Sequence, residues 1–266
     1  MAKRLLLALL LVVAGCGADA QEPAVFGKTV NIGVSPSSPG WGTADAAGVR
    51  SGFDYDFSNW LGQHLAFTPV PVTVLARDRE IELQRGTIGM VVATYSITDA
   101  RREQVGFAGP YMLSQQGVMV RAAEKEKYRT LADLTGKTIC VTSGSTSAKQ
   151  LRELGFPVSV TEKDVYEQCR LALRDGQVDA LSTDQLILYG LQKVDKETYV
   201  VPEIAFGQQE RYGIGLPKGD KAKCEAVTTQ IRTFLIDGYW DRFFAANLPG
   251  VPTEGHKPNP NRLNPC

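Results

Sequence analysis

The amino-acid sequence predicts an α/β fold in two lobes, with a ligand cleft between the lobes and two hinge crossovers joining them. Three observations carry that prediction. From residue 29 onward, short apolar runs of strand type alternate with segments of helical period. A second alternating series begins near residue 130. Two extended segments, "QQGVMVRAA" (115–123) and "QERYGIGLPKG" (209–219), lie where a chain passing between two lobes would cross.

In order along the chain, "TVNIGVS" (29–35) reads as a strand. Phe57, Trp60, Leu61, His64 and Leu65 then fall at helical spacing, which puts His64 on a helix flank and gives it packing to do rather than binding. "PVTVLA" (71–76) is a strand, "RDREIELQRG" (77–86) a helix closed by Gly86, and "IGMVVA" (88–93) a strand again. In the second series "TLADLTG" (130–136) reads as a helical turn, "KTICVT" (137–142) as a strand and "STSAKQLRELG" (145–155) as a helix ending at Gly155. "VSVTE" (158–162) is a strand. "DVYEQCRLALRDG" (164–176) aligns Val165, Cys169 and Ala172 on one helix face and stops at Gly176. "VDALSTD" (178–184), "QLILYGLQK" (185–193) and "TYVVP" (198–202) complete a strand, a helix and a strand. Amphipathic helices over 219–248 return the chain to the first lobe. The expected division is 28–118 with 213–266 for the first lobe and 119–212 for the second. Open parallel sheets bind ligands beyond the carboxyl ends of their strands, here between the lobes.

Composition narrows the function. The apolar fraction of 43% supports a sizeable core. With 29 basic and 29 acidic side chains there is no footprint for nucleic acid, and His64 and His256 alone argue against a His-based metal site. No cofactor motif is present. "MAKR" followed by "LLLALLLVVA" has the charge and apolar length of an export signal, too short for a permanent span. Cleavage of residues 1–15 removes Lys3 and Arg4 and leaves the mature chain about two charges negative. Ala14 and Gly15 directly before Cys16 resemble the cleavage signal of bacterial lipoproteins, which implies lipidation at Cys16, with 16–27 a tether. Setting Cys16 aside leaves four cysteines, which allow three pairings. Cys140–Cys169 with Cys224–Cys266 is favoured, because each pair stays within one expected lobe and the second staples the tail "PNPNRLNPC" to a helix. A catalytic cysteine lacks a nearby histidine.

Three stretches carry the candidate binding chemistry. "ATYSITDARREQVGFAGPY" (93–111) follows a strand end and presents Arg101, whose planar fork matches a carboxylate, with Ser96 beside it and the Thr94 carbonyl available to an ammonium. "TSGSTSAKQL" (142–151) opens a helix with the backbone N–H groups of Ser145 and Thr146; a plain helix cap is the competing reading. "STDQLIL" ends a strand with Asp184, a carboxylate suited to an α-ammonium or, again, a cap for the next helix. A guanidinium and N–H groups for a carboxylate, with a carboxylate for an ammonium, describe the α-amino acids.

Residues 28–248 resemble the family 3 solute-binding proteins, the polar amino-acid receptors of ABC importers. The resemblance rests on "SGFDYDFSNWL", "ATYSITDARREQVGFAGPY", "LADLTGKTICVTSGSTS", "VDALSTD" and "YGIGLPKG", and the second string is especially similar to the glutamate-binding lipoproteins of that family. It implies a periplasmic-binding-protein fold of type II. It implies a ligand carboxylate on Arg101, Ser96 and Thr146, and a ligand ammonium on Asp184 and Thr94. Asp54 and Asp56, in "GFDYD", are implied to be structural, with Asp56 able to cap the following helix. The side-chain pocket is expected from Arg77, Arg79, Ser37, Trp41, Thr142 and Thr183. The first loop departs from the glutamate-binding pattern: "GVSPSSPG" places Ser35, Ser37 and Ser38 where those relatives carry charged residues. L-glutamate is the expected ligand, with glutamine or asparagine behind it. The implied partner is an ABC permease, reached by a monomer lipid-anchored on the outer face of the cytoplasmic membrane. Two rival readings are a cyclohexadienyl-dehydratase-like enzyme on the same fold, for which no second cleft carboxylate is evident, and a ligand receptor for a signalling partner.

Overall fold

The computed structural model describes residues 25–266, so the expected export signal, Cys16 and the first part of the tether lie outside the described residues. Strand β1 (Thr29–Val34) buries Val30, Ile32 and Val34 and leads into a small antiparallel sheet of β2 (Ser37–Ser38), β3 (Gly42–Ala44) and β4 (Arg50–Ser51). Gly52 then adopts φ 123°, and a Cβ there would lie 2.3 Å from the Trp41 carbonyl. Only glycine lets the small sheet close against the start of helix α1 (Phe53–His64). The α1 face carrying Phe53, Phe57, Trp60 and Leu61 is buried, and His64 stacks on Trp60 at 3.8 Å, as its spacing predicts.

Strand β5 (Thr68–Thr73) contains Pro69 and Pro71, which lack the N–H of a ladder, and it occupies a sheet edge. Helix α2 (Arg79–Arg85) ends at Gly86 in the left-handed conformation. Then come β6 (Met90–Val91), α3 (Asp99–Gln104) and β7 (Gly106–Arg121). The second series is β8 (Thr138–Thr142), α4 (Ser147–Arg152), β9 (Ser159–Lys163), α5 (Tyr166–Arg174), β10 (Ala180–Asp184) and α6 (Gln185–Val194). β11 (Thr198–Leu216), α7 (Lys221–Ile236) and α8 (Tyr239–Asn247) follow.

Eight strands form one sheet in the order β5-β1-β6-β11-β7-β10-β8-β9. β1 pairs in parallel with β5 and β6 at one end, and β8 in parallel with β9 and β10 at the other, as the alternation predicts. Between these halves run β7 and β11, antiparallel from Gly106–Leu216 to Arg121–Thr198, with register shifts at Val200/Ala205, Phe206/Glu210 and Tyr212/Ile214. The two expected crossovers are therefore the middles of two long paired strands, and the expected lobe boundaries at 118/119 and 212/213 fall inside them.

Other differences are local. The strand expected over 71–76 stops at Thr73, and Ala76–Asp78 forms a 3₁₀ turn. The run "IGMVVA" keeps only two residues in the sheet because the chain bends toward the cleft after Val92. Within 93–111, Thr98 caps α3 by accepting the Arg101 N–H at 3.2 Å. Disulfides join Cys140 to Cys169 and Cys224 to Cys266. The tail also lies along β7, where the Leu113 N–H donates to His256 and the Asn264 N–H to Gly109.

Candidate functional site

The first-lobe wall of the cleft begins where β6 ends. Thr94 sits at φ 42°, unusual for a β-branched residue, and its N–H donates to Asp54 Oδ2 at 2.8 Å. Tyr111 donates to the other Asp54 oxygen at 2.7 Å. Burial pushes the Asp54 carboxyl up to about 7, against the pull of these two hydrogen bonds. Asp54 thus supports the loop from behind. Asp56 accepts from Asn247 instead of capping α1, whose N-cap position is Gly52.

Two arginines reach the cleft from this wall. Arg101 donates to the Ser96 carbonyl at 2.8 Å and, across the cleft, to the Gly144 carbonyl at 2.7 Å, while its Nε faces Glu80 at 3.1 Å. Arg79 donates to the carbonyls of Ala76, Ala93 and Gly144 at 2.9, 3.1 and 3.4 Å. Both guanidinium groups lie over the Tyr95 ring, at 4.3 Å for Arg79 and 4.8 Å for Arg101. Burial, and then the like charge of Arg101, push the Arg79 guanidinium down to about 10, which leaves it a cation at neutral pH.

The second-lobe wall comes from the turn after β8 and the end of β10. Thr146, at the N-cap position of α4, donates its hydroxyl to Glu210 at 2.7 Å, so only its backbone N–H is left to face an anion. Asp184 occupies the N-cap position of α6 but makes no capping bond. Its oxygens instead accept from the Gln116 amide and the Tyr212 hydroxyl. Burial and the neighbouring Glu210 charge push the Asp184 carboxyl well above the usual carboxylate range. The cap reading of Asp184 thus finds no capping hydrogen bond.

These walls enclose two connected chambers. The inner one brings together Arg79, Thr94, Ser96 and Arg101 from the first wall with Thr146, Thr183 and Asp184 from the second. The outer one shares Arg79 and Thr94 and adds Ser37 and Thr142. Tyr166 borders both, and burial pushes its phenol up to about 12. The hydroxyls of Ser37, Thr142 and Ser145 are buried with no protein partner, an arrangement that suits a polar ligand.

Two expected pocket residues stand apart from both chambers. Trp41 is fully buried beneath the cleft, edge-on to Tyr212, and donates to the Leu186 carbonyl at 3.2 Å. Its size and apolar ring carry it into the core, where it ties the first loop to α6. Arg77 is half-exposed and pairs with Asp164 across the rim of the cleft. Its neighbour Arg79, two residues on, is the one turned inward. Three residues that sequence reasoning missed are Glu210, Gln116 and Tyr166. Glu210 is 3% exposed and stands beside Asp184, so a second carboxylate does accompany the cleft. Glu210 and Gln116 lie in the two extended segments already marked as crossovers, which was the available signal. Among the described residues, no group of three or more histidine, cysteine or acidic side chains is placed to hold a metal, and no helix is long and apolar enough to cross a membrane.

Comparison with known proteins gives a consistent picture. The model of the family described as bacterial extracellular solute-binding proteins, family 3, matches residues 30–248. The chain is 34% identical to the glutamate-binding protein GluB of Corynebacterium glutamicum over 244 residues, covering 87% of this chain and 82% of that one. It is 30% identical to the ABC transporter glutamine-binding protein GlnH of Bacillus subtilis, covering 79% of this chain and 77% of that one. Among solved structures, an ancestral arginine-binding protein bound to glutamine superposes with a TM-score of 0.77 at 27% identity, covering 85% of this chain and all of that one.

Proposed function

The chain belongs to the bacterial extracellular solute-binding proteins of family 3, and from that premise we propose that it binds one α-amino acid in the inter-lobe cleft, L-glutamate foremost, and delivers it to an ABC importer. The observation that carries this reading is that Arg101, Arg79 and Asp184 border the same inner chamber. Two cations and one carboxylate complement a ligand with two carboxylates and one ammonium. The α-carboxylate takes Arg101, with Ser96 and the Thr146 N–H; the ammonium takes Asp184 and the Thr94 carbonyl. The side chain turns toward the outer chamber, where Arg79 holds its carboxylate with the unpartnered Thr142 and Ser37 hydroxyls nearby. Glutamine fits the same space but leaves Arg79 facing a neutral amide.

Binding involves no covalent step. The lobes close because contacts to the ligand come from both walls, so the closed arrangement is bound more tightly than an open one. Lobe-to-lobe contacts visible here, Arg101 and Arg79 on the Gly144 carbonyl and Arg77 on Asp164, belong to the closed arrangement. We further assign the mature chain to the outer face of the cytoplasmic membrane, as a monomer held by a lipid on Cys16. Replacement of Cys16 by serine should release it from the membrane fraction.

The test of ligand class is thermal unfolding of the mature chain against single amino acids. A ligand at about a thousand times its dissociation constant adds roughly 4 kcal/mol, several degrees for a chain of this size. L-glutamate should give the largest rise, glutamine a smaller one and arginine none. No rise with any amino acid would overturn the reading.

A further inference from the structure

We propose that Glu210 is the second carboxylate of the ammonium subsite, sharing one proton with Asp184, and that the arriving ligand ammonium displaces this proton to solvent. The inference rests on the amino-acid reading above and adds to it a residue and a linkage to pH.

Three strands converge on the pair. Gln116 of β7 directs its amide nitrogen at Asp184 of β10, at 2.5 Å, and at Glu210 of β11, at 2.8 Å. Asp184 is 4% and Glu210 3% exposed. The remaining donors to the pair are Tyr212 on Asp184, and Thr146 and Gln150 on Glu210. All of these donors are neutral. The charged and titratable groups facing Asp184 are Glu210 and Tyr212 from β11, Tyr166 from α5, Arg79 from α2 and Arg101 from α3. Both arginines give their short hydrogen bonds to backbone carbonyls or to Glu80, and neither donates to the pair. Burial pushes the phenols of Tyr166 and Tyr212 upward, so both stay neutral, Tyr212 as a donor to Asp184 and Tyr166 as an acceptor from Thr183.

Two carboxylates bridged by one amide, away from water and with no cation donating to either, do not both remain ionised; such pairs hold a proton in common. The upward displacement of the Asp184 carboxyl, caused by burial and then by Glu210, agrees with this. The hydrogen-bond count points the same way. Gln116 is fully buried, yet its side-chain oxygen has no partner, so acceptors outnumber donors around the pair. A shared proton meets part of that deficit, and an ammonium with three hydrogens meets more. An ammonium also supplies the missing cation, so the proton is no longer retained.

The sign follows from linkage. The free protein binds one proton more than the complex, so affinity rises with pH by up to about tenfold per unit and levels off once the free pair is ionised. The experiment is calorimetric titration of the mature chain with L-glutamate at pH 6.5, in buffers of different ionisation enthalpy, for the wild type and Glu210→Gln. The wild type should release protons on binding and Glu210→Gln clearly fewer, because the like charge of Glu210 adds to burial in holding Asp184 protonated in the free protein. Asp54 touches Thr94 and also titrates near neutrality, so Asp54→Asn serves as the control and should still release the proton. Wild-type binding with no proton release, or equal release from Glu210→Gln, overturns the proposal while leaving the amino-acid reading intact. The wild-type series decides alone should Glu210→Gln fail to fold. No binding of any amino acid by the wild type overturns the reading and this inference together.

Discussion

Replacement of Asp184 by asparagine should weaken binding and stabilise the unliganded protein, and the opposite signs make it the sharpest single test of the site. In binding, the change removes the carboxylate from a buried contact with the ligand ammonium. Loss of one partner of a buried charged pair costs about 2–5 kcal/mol, a fall in affinity of roughly 30- to 5,000-fold. In folding, Asp184 has no cation donating to it, is buried, and stands beside Glu210. An amide of the same shape keeps an acceptor for Tyr212 and removes the like charge beside Glu210, while the Gln116 amide, whose nitrogen faces Asp184, turns to offer its unpartnered oxygen. Relief of this kind at a functional site is worth about 0.5–2 kcal/mol, or roughly 1–8 °C in Tm. The pH dependence is also fixed in sign. A carboxyl raised in the folded state contributes fully below its unfolded pKa and progressively destabilises as pH rises toward its folded value. The advantage of the variant should therefore grow between pH 4 and pH 8. Calorimetry with L-glutamate and ligand-free thermal unfolding across that range are the assays. A variant that binds as tightly as the wild type, or that unfolds at lower temperature at pH 8, would refute the reasoning.

Other perturbations reach other parts of the structure. Arg79→Gln should lower affinity for L-glutamate by about 10- to 150-fold, at 1.5–3 kcal/mol for a hydrogen bond to a charged group, and change glutamine affinity far less; equal losses measured by calorimetry would detach Arg79 from the ligand side chain. Gly144→Ala puts a Cβ 2.4 Å from the Arg77 Cα at a φ of 78°, so closure is obstructed. An affinity loss of about 5- to 150-fold is expected, at 1–3 kcal/mol for such a clash, and X-ray scattering should report a more open shape with saturating ligand. Cys224→Ser frees the tail from α7 across a separation of 42 residues. Unfolding should fall by about 2–5 kcal/mol, and a reductant that lowers the wild-type Tm should not lower that of the Cys224→Ser, Cys140→Ser, Cys169→Ser variant further.

Much of the fold was readable because each element carries a local signal. Gly86 closes α2 and Gly176 follows α5, both left-handed as their places demand, while Pro69 and Pro71 mark an edge strand. Hidden from the sequence was the length of β7 and β11: their pairing is non-local, and "VGFAGPY" and "TYVVP" give no sign that a ladder links them through the hinge. The site divides in the same way. Arg101, Ser96, Thr146 and Asp184 follow strand or turn endings, where topology alone directs attention, and the structure brings all four to one chamber. Arg77 and Arg79 share a short turn, so spacing could not tell which of them faces inward. Trp41 looked like pocket lining because it follows a serine-rich loop, but Gly52 and Phe53 pack against it and draw it into the core. Glu210 was indistinguishable from a solvated hinge residue until β11 was seen to bring it beside Gln116 and Asp184.

The measurement closest to the central claim is a crystal structure of the mature chain grown with L-glutamate. The account predicts the α-carboxylate on Arg101, the ammonium within hydrogen-bond distance of Asp184, and the side-chain carboxylate on Arg79 in place of the Gly144 carbonyl. A glutamate bound in the reverse sense, with its ammonium away from Asp184, or bound outside the two chambers, would contradict it.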